Sequence, residues 1–284
     1  MSDTLAAGEA ARDAVGDVFP HLLKSWRQKR RISQLDLALT AGVSQRHVSF
    51  LESGRAKPSR RMILQLSECL EVPLRDRNQW LTAAGFAPVF KTRPLDDPQM
   101  SLVMSAIEKI LENHEPYPAV VLDRAWNIRM ANAPFDLLTS LFGDDLWTRL
   151  GEGNGDGQAR NLMRLFFHPD GIRPFVTNWS IAAPLLWHRA EREAETVGGE
   201  DMKRELEALA ALQDPDTLRP PDNAGLLPVL PLDVEMNGLK VSLFTVISTF
   251  GTAQDVTADE LRIEQLFPAD EATAQLFESM AGAE

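Results

Sequence analysis

The chain has 284 residues, a net charge of -12 and 44% hydrophobic residues, enough for two ordinary domains with a core in each. The single cysteine, Cys69, excludes a disulfide framework within one chain. No basic segment leading into an apolar run marks a signal peptide, and no stretch approaches the roughly 18 apolar residues that span a bilayer, so a soluble cytoplasmic protein is expected.

Residues 1–17 are small, polar and acidic and read as a flexible arm. From Val18 to Arg30, the spacing of Phe19, Leu22, Leu23 and Trp26 predicts a first helix. Ser33 caps a second helix that Gln34 opens. Ala38 is small where two helices must cross, and Gly42 supplies the left-handed corner after it. Ser44 then caps a third helix, Gln45 to about Glu52. On it Val48 and Leu51 face inward, while Gln45, Arg46 and Ser49 face outward near the N-terminal half. A fourth helix starts at Pro58-Ser59, with Met62, Leu66, Cys69 and Leu70 as its apolar stripe. A fifth starts at Pro73 and closes at Gly85. This is the layout of a helix-turn-helix domain, whose second core helix enters the major groove by its N-terminal residues. The charge agrees: between His21 and Ser67 ten Lys/Arg face only Asp36 and Glu52, a balance of +8 that leaves -20 for the rest of the chain. A basic head on an acidic body confines DNA contact to the head.

The span from about Val18 to Gly85 resembles the lambda-repressor-like, or XRE-type, helix-turn-helix family. The resemblance implies that Gln34 contacts a phosphate, that Gln45, Arg46 and Ser49 read bases, and that Arg55, Lys57 and Arg60 follow the DNA backbone. It also implies a buried ion pair between Arg27 and Glu52. The side chains suit these roles: glutamine pairs with adenine and arginine forks onto guanine, whereas loop Lys/Arg give salt-dependent affinity without sequence information.

The domain boundaries expected are 18–91 for the DNA-binding domain, 92–116 for a linker and connecting helix (Leu102 to Leu111), and 117–284 for a second domain. In that domain Ala119–Leu122 reads as a strand, Asp123-Arg124 as a turn, Trp126–Ala131 as a second strand and Ala133–Phe142 as a helix. Residues 154–157 form a polar loop. Residues 159–168, 172–197 and 200–213 read as helices, the middle one interrupted near Pro184. Val229–Met236 and Leu239–Phe250 form a hairpin about Asn237-Gly238. Apolar groups on both faces of Val241–Phe250 predict a central strand covered on both sides. Leu261–Phe267 reads as a last strand and Glu271–Met280 as a last helix.

This half, about Tyr117–Phe277, resembles the ligand-binding domain of MmyB-like transcription regulators, a PAS-like sheet with inserted helices. The residues that carry the resemblance are PAVVLDRAWNIRMAN at 118–132, HPDGIRPFVTNW at 168–179 and the closing hairpin; RNQWLTAAGFAP at 77–88 fits the end of the first domain. The proline-rich stretch between Pro220 and Pro228 departs from the pattern and blurs the sheet boundary there. The fold class expected is thus multidomain, a five-helix all-α head followed by an α+β PAS-like body. The resemblance implies control by a bound small molecule of apolar, fatty-acid-like character. A PAS-like pocket lies between sheet and helices, which makes Trp126, Phe166, Phe167, Phe175, Trp179, Leu186 and Phe244 candidate lining, and Arg173, Asn178 and His168 candidate polar anchors.

No catalytic constellation is evident. There is no phosphate-cradling glycine loop, no nucleophile elbow and no His/Cys/Asp cluster with metal spacing, so neither an enzyme nor a resident cofactor or metal is expected. The whole reads as a DNA-binding regulator, with an operator duplex, a small effector and a second copy of the chain as partners and no membrane. An alternative is a DNA-binding regulator whose second domain only dimerises or binds a protein.

Overall fold

A computed structural model describes residues 18–151, 159–195, 199–219, 229 and 231–281. The arm at 1–17, the loop at 154–157 and the stretch between Pro220 and Pro228 lie outside the described residues. The chain divides into two compact units. One is Met1–Arg93 with Thr252–Asp259, the other Pro94–Gly251 with Glu260–Glu284.

In the first unit α1 (Val18–Lys29) buries Phe19, Leu23 and Trp26 along one stripe. Ser33 caps α2 (Gln34–Thr40), accepting from the Asp36 N–H, and Ala38 is buried where α2 meets its neighbour. Gly42 turns the chain at φ +61°, a conformation costly for any residue with a Cβ. Ser44 accepts from the His47 N–H and caps α3 (Gln45–Glu52). Ser59 caps α4 (Arg60–Cys69) in the same way. The fifth helix, α5 (Leu74–Ala83), follows Pro73. Val48, Leu51, Ile63, Leu66, Trp80 and Leu81 are fully buried at the centre. The segment 252–259, distant in sequence, belongs to this unit: the Asp259 carboxylate accepts from the Leu74 N–H at the start of α5, and Asp255 pairs with Arg93 at 2.7 Å.

The second unit opens with a 3-10 turn at Pro98–Met100 and α6 (Ser101–His114). Then follow β1 (Ala119–Leu122), β2 (Ile128–Ala131), α7 (Ala133–Ser140), α8 (Leu146–Arg149) and α9 (Leu162–Phe167). A 3-10 turn at Arg173–Phe175 leads into α10 (Trp179–Glu193) and α11 (Gly199–Ala210). The rest is β3 (Pro231–Met236), β4 (Leu239–Thr249), β5 (Arg262–Pro268) and α13 (Glu271–Ala281), while α12 (Val256–Glu260), between β4 and β5, falls almost wholly in the segment assigned to the first unit. The strands form an antiparallel sheet in the order β2-β1-β5-β4-β3. Asn237 and Gly238 both have positive φ, as the tight hairpin turn requires.

Register sorts the side chains by face. Val120 stands opposite Glu264, Leu266 opposite Thr245, and Leu243 opposite Leu232; these share one face. Ala119, Val121 and Ile263 share the other, where Ile107 and Leu111 of α6 pack on them. Buried Asn132 ties β1, α6 and α7 together. Its Oδ1 accepts from the Ala119 and Phe135 N–H groups, and its Nδ2 donates to the Leu111 and Tyr117 carbonyls.

Three details differ from the sequence expectation. The second strand starts at Ile128, not Trp126, because the Asp123 carboxylate accepts from the Ala125 and Asn127 N–H groups and closes a turn in which Trp126 has φ +66°. Residues 172–178 are not α-helical; only a 3-10 turn at Arg173–Phe175 occurs there. Pro174 and the bridge of Val176 to Val234 hold them against β3, whereas α10 runs through Pro184 without interruption, its Ala182, Ala183 and Trp187 buried on one side. Finally, β4 is covered on both faces only over its first half. β3 pairs with it no further than Phe244, and Val246 and Ile247 beyond that point are exposed.

Candidate nucleic-acid interface and ligand cavity

The outward side of α3 is built by its inward side. Val48 and Leu51, fully buried, fix the rotation of the helix, which leaves Gln45 and Arg46 exposed and Ser49 half-buried. The end of α3 is locked by Glu52, whose two oxygens accept from Arg27 Nε at 2.5 Å and Nη2 at 2.9 Å. Gln34 Nε2 donates to the same carboxylate at 2.7 Å, so the Gln34 amide braces α2 against α3 from the N-terminus of α2. Burial pushes the Glu52 carboxyl up, but the hydrogen bonds from Arg27 and Gln34 and the charges of Arg27 and Lys24 outweigh it and hold the group below the usual carboxylate range.

Phe50, half-buried, carries two arginines. The guanidinium carbon of Arg46 lies 5.0 Å from its ring centroid and that of Arg55 5.9 Å. Stacking engages the face of a guanidinium and leaves its N–H edge available for hydrogen bonds. Lys57 and Arg60 are exposed nearby in sequence. Among the described residues Arg46, Arg55, Lys57 and Arg60 make no ion pair, whereas Arg27 is committed internally. Unpaired cations beside an exposed helix start are what a phosphate backbone needs. Cys69 is half-buried, its thiol pushed up by burial and by Glu68, so it is poorly disposed to react.

The second unit holds a cavity of about 100 Å³ between the sheet and α7, α9 and α10. On this volume scale it is comparable to a cavity that accepts a benzene-sized group. From the sheet side Val120, Leu232, Leu243 and Leu266 line it; from the helix side come Phe135, Phe142, Phe166, Phe167 and Leu186. The turn after β1 adds Trp126. Its polar lining is Thr139, Thr245 and Glu264.

Trp126, Phe166, Phe167 and Leu186 are therefore together at the cavity wall. Other candidates lie elsewhere. Phe175 packs on Phe142 at 5.2 Å, and Trp179 stacks on Phe166 at 5.1 Å, so both back the lining rather than form it. Phe244 lies on the opposite face of the sheet, stacked on Phe267 at 5.7 Å, because alternate residues of a strand face apart. Of the candidate anchors, Asn178 bridges to β3, donating to the Pro231 carbonyl and accepting from the Asp233 N–H. Arg173 covers the Trp179 ring and donates to the Leu212 carbonyl. His168 Nδ1 accepts from the Asp170 N–H. None of the three lines the cavity.

The polar corner is instead Glu264, and sequence reasoning missed it because an isolated acid in a strand reads as a solvent-facing residue. Its Oε1 accepts from Arg189 at 2.6 Å, and Arg189 also pairs with Glu193 at 2.9 Å. Glu193 in turn pairs with Arg262. Burial lowers the affinity of Arg189 for its proton, but Glu264 and Glu193 outweigh this and the guanidinium is raised. The two guanidinium carbons lie 4.7 Å and 4.9 Å from the Trp126 ring. Phe135, Thr139 and Phe142 were legible in principle from their spacing on one helical face.

Residues 103–280 match the family described as MmyB-like transcription regulator ligand binding domain, and residues 23–76 match a helix-turn-helix family. The first match spans more than half of the chain, and the chain belongs to that family. It is a DNA-binding transcription regulator with a ligand-binding domain. No match is found among curated proteins. Among solved structures, one described as an RNA-binding Light-Oxygen-Voltage receptor is 12% identical, covers 100% of this chain and 68% of its own, and has a TM-score of 0.24; a likeness that weak carries no argument. No described helix is long and apolar enough to cross a membrane, and no cluster of metal-ligating side chains occurs among the described residues.

Proposed function

We propose that the regulator senses a small apolar effector, fatty-acid-like in its hydrocarbon body, in the cavity of the second unit, and that occupancy changes its affinity for an operator. The observation that carries this reading is the cavity wall, built of aliphatic, aromatic and thioether side chains apart from Thr139, Thr245 and Glu264. Such a wall holds apolar ligands by burial and leaves orientation to a few directed groups. On the head, Gln45, Arg46 and Ser49 read bases, while Gln34, Arg55, Lys57 and Arg60 set position on the phosphates. We take the active form to be a homodimer on paired half-sites about one helical turn apart. The effector acts by linkage: whichever conformation it prefers, operator affinity shifts by the same free energy that the operator returns to effector binding. No catalytic step enters this account. The test is native mass spectrometry of gently purified full-length protein. A co-purifying apolar small molecule that wild type retains and a cavity-filling Leu243→Trp variant loses supports the reading; equal retention by both places the molecule outside the cavity and contradicts it.

A further inference from the structure

We infer that Phe50 is a positioning residue of the DNA-reading face: its ring holds Arg46 for base edges and Arg55 for phosphate, so that specific and unspecific contacts share one support. The inference rests on the proposed roles of Arg46 and Arg55. It starts from where Phe50 stands. The outward side of α3 carries the polar residues Gln45, Arg46 and Ser49, and Phe50 lies beside them in the same helix. It is half-buried, yet among the described residues it is neither part of the apolar core of the head nor packed on it. What lies against its ring is a pair of guanidinium groups, their carbons 5.0 Å and 5.9 Å from its centroid.

The two arginines reach that ring by different routes. Arg46 precedes Phe50 by four residues, about one helical turn, and so shares its side of α3. Arg55 arrives from the loop. Gly54 has φ +71° and turns the chain back. The Phe50 carbonyl then accepts from the Arg55 N–H at 2.9 Å and the Ala56 N–H at 3.1 Å. One residue thus anchors the loop by its carbonyl and catches the loop's arginine by its ring. Among the described residues neither guanidinium has an ion-pair partner. Glu52, the acid nearest to both in sequence, is taken by Arg27 and Gln34. Two like charges gathered on one ring repel each other, and at an exposed site the ring attracts each only modestly. A polyanion answers both cations at once. An arginine already stacked has less rotamer freedom to lose when it binds, which is the gain from positioning it beforehand.

The test is fluorescence anisotropy of the full-length chain with two probes: a duplex that wild type selects from a random pool, and a scrambled duplex of the same composition. Phe50→Leu keeps apolar bulk and removes the aromatic face. It should weaken the scrambled duplex about threefold, through Arg55, and the selected duplex about tenfold, through both arginines, so that preference falls about threefold. Phe50→Tyr keeps the face and should stay within about twofold of wild type on both probes. In an Arg46→Ala background, Phe50→Leu should leave the preference unchanged, because the ring has no base-reading arginine left to position. An undiminished loss of preference in that background means that the ring acts by itself and overturns the inference. Wild-type affinities in Phe50→Leu, or a Phe50→Tyr chain as weak as Phe50→Leu, overturn it too. All three results leave the reading of α3 intact as long as Arg46→Ala alone lowers the preference. A wild-type preference in Arg46→Ala, or a wild-type chain that selects no duplex, contradicts that reading and the inference with it. Circular dichroism checks that each variant folds, and Phe50→Met, whose flexible side chain adapts to irregular space, replaces Phe50→Leu if the latter does not.

Discussion

Arg46 and Arg55 share the ring of Phe50, and that arrangement separates two roles that composition alone cannot. Arg46 belongs to α3 with Gln45, so replacing both by alanine should remove operator preference. The expected loss is about 1–3 kcal/mol of discrimination per base-reading pair, measured by fluorescence anisotropy with operator and scrambled duplexes. An unchanged preference would move the reading surface off α3. Glu52 is a structural counterpart to these cations. Its carboxyl is held low in the folded chain, so the native state sheds that proton at a pH where the unfolded chain still binds it. The stabilisation is present above the ordinary glutamate range and is lost as pH falls through it to the lower folded value. Glu52→Gln should cost about 3 kcal/mol at neutral pH, because the Arg27 charge is left buried without its partner. It should also flatten the acid limb of stability in urea titrations. A variant with the same acid limb as wild type would show that Glu52 does not set it.

At the scale of elements, the proposed reading assigns the salt dependence of binding to the loop after α3. Arg55→Ala with Lys57→Ala should weaken binding to every duplex and reduce the slope of log K against log salt by about 0.9 for each lost phosphate contact; a slope equal to wild type would place both side chains away from the backbone. In the second unit Asn132→Ala should destabilise by about 1–3 kcal/mol, since it strips partners from backbone groups buried at the junction of β1, α6 and α7. Denaturant unfolding followed by circular dichroism reads this directly, and an unchanged midpoint would mean that the junction does not depend on that bracket. Elements set by local chemistry were legible in the sequence. Ser33, Ser44 and Ser59 each cap the helix that their position predicts, and Asn237-Gly238 turns the hairpin. What was not legible depends on distant partners. Asp259 reaches Leu74 from 185 residues away, and Phe244, expected at the cavity, faces away from it while Glu264 lines it, because strand parity and register, not hydrophobicity, decide which face meets the cavity.

Across the whole molecule, the charge asymmetry written in the sequence assigns DNA to the basic head, and the apolar cavity gives the acidic body a different partner. The candidate site on the head was largely readable because it lies on one short helix and its flanks. The cavity was only partly so: Trp126, Phe166 and Phe167 reach it, but its polar corner is assembled from α10, β5 and a strained turn far apart in the chain. Dimerisation on paired half-sites predicts that operators with the two half-sites separated by an extra half-turn of duplex bind much more weakly than native spacing. The central claim is that cavity and operator affinity are coupled, and the most direct measurement is the operator Kd at fixed salt with and without a saturating amount of the small apolar molecule that co-purifies, occupancy being verified by titration in the same buffer. The account predicts a change of about fivefold or more in either direction, the scale of ordinary allosteric coupling. An operator Kd that stays the same while the cavity is filled would contradict it.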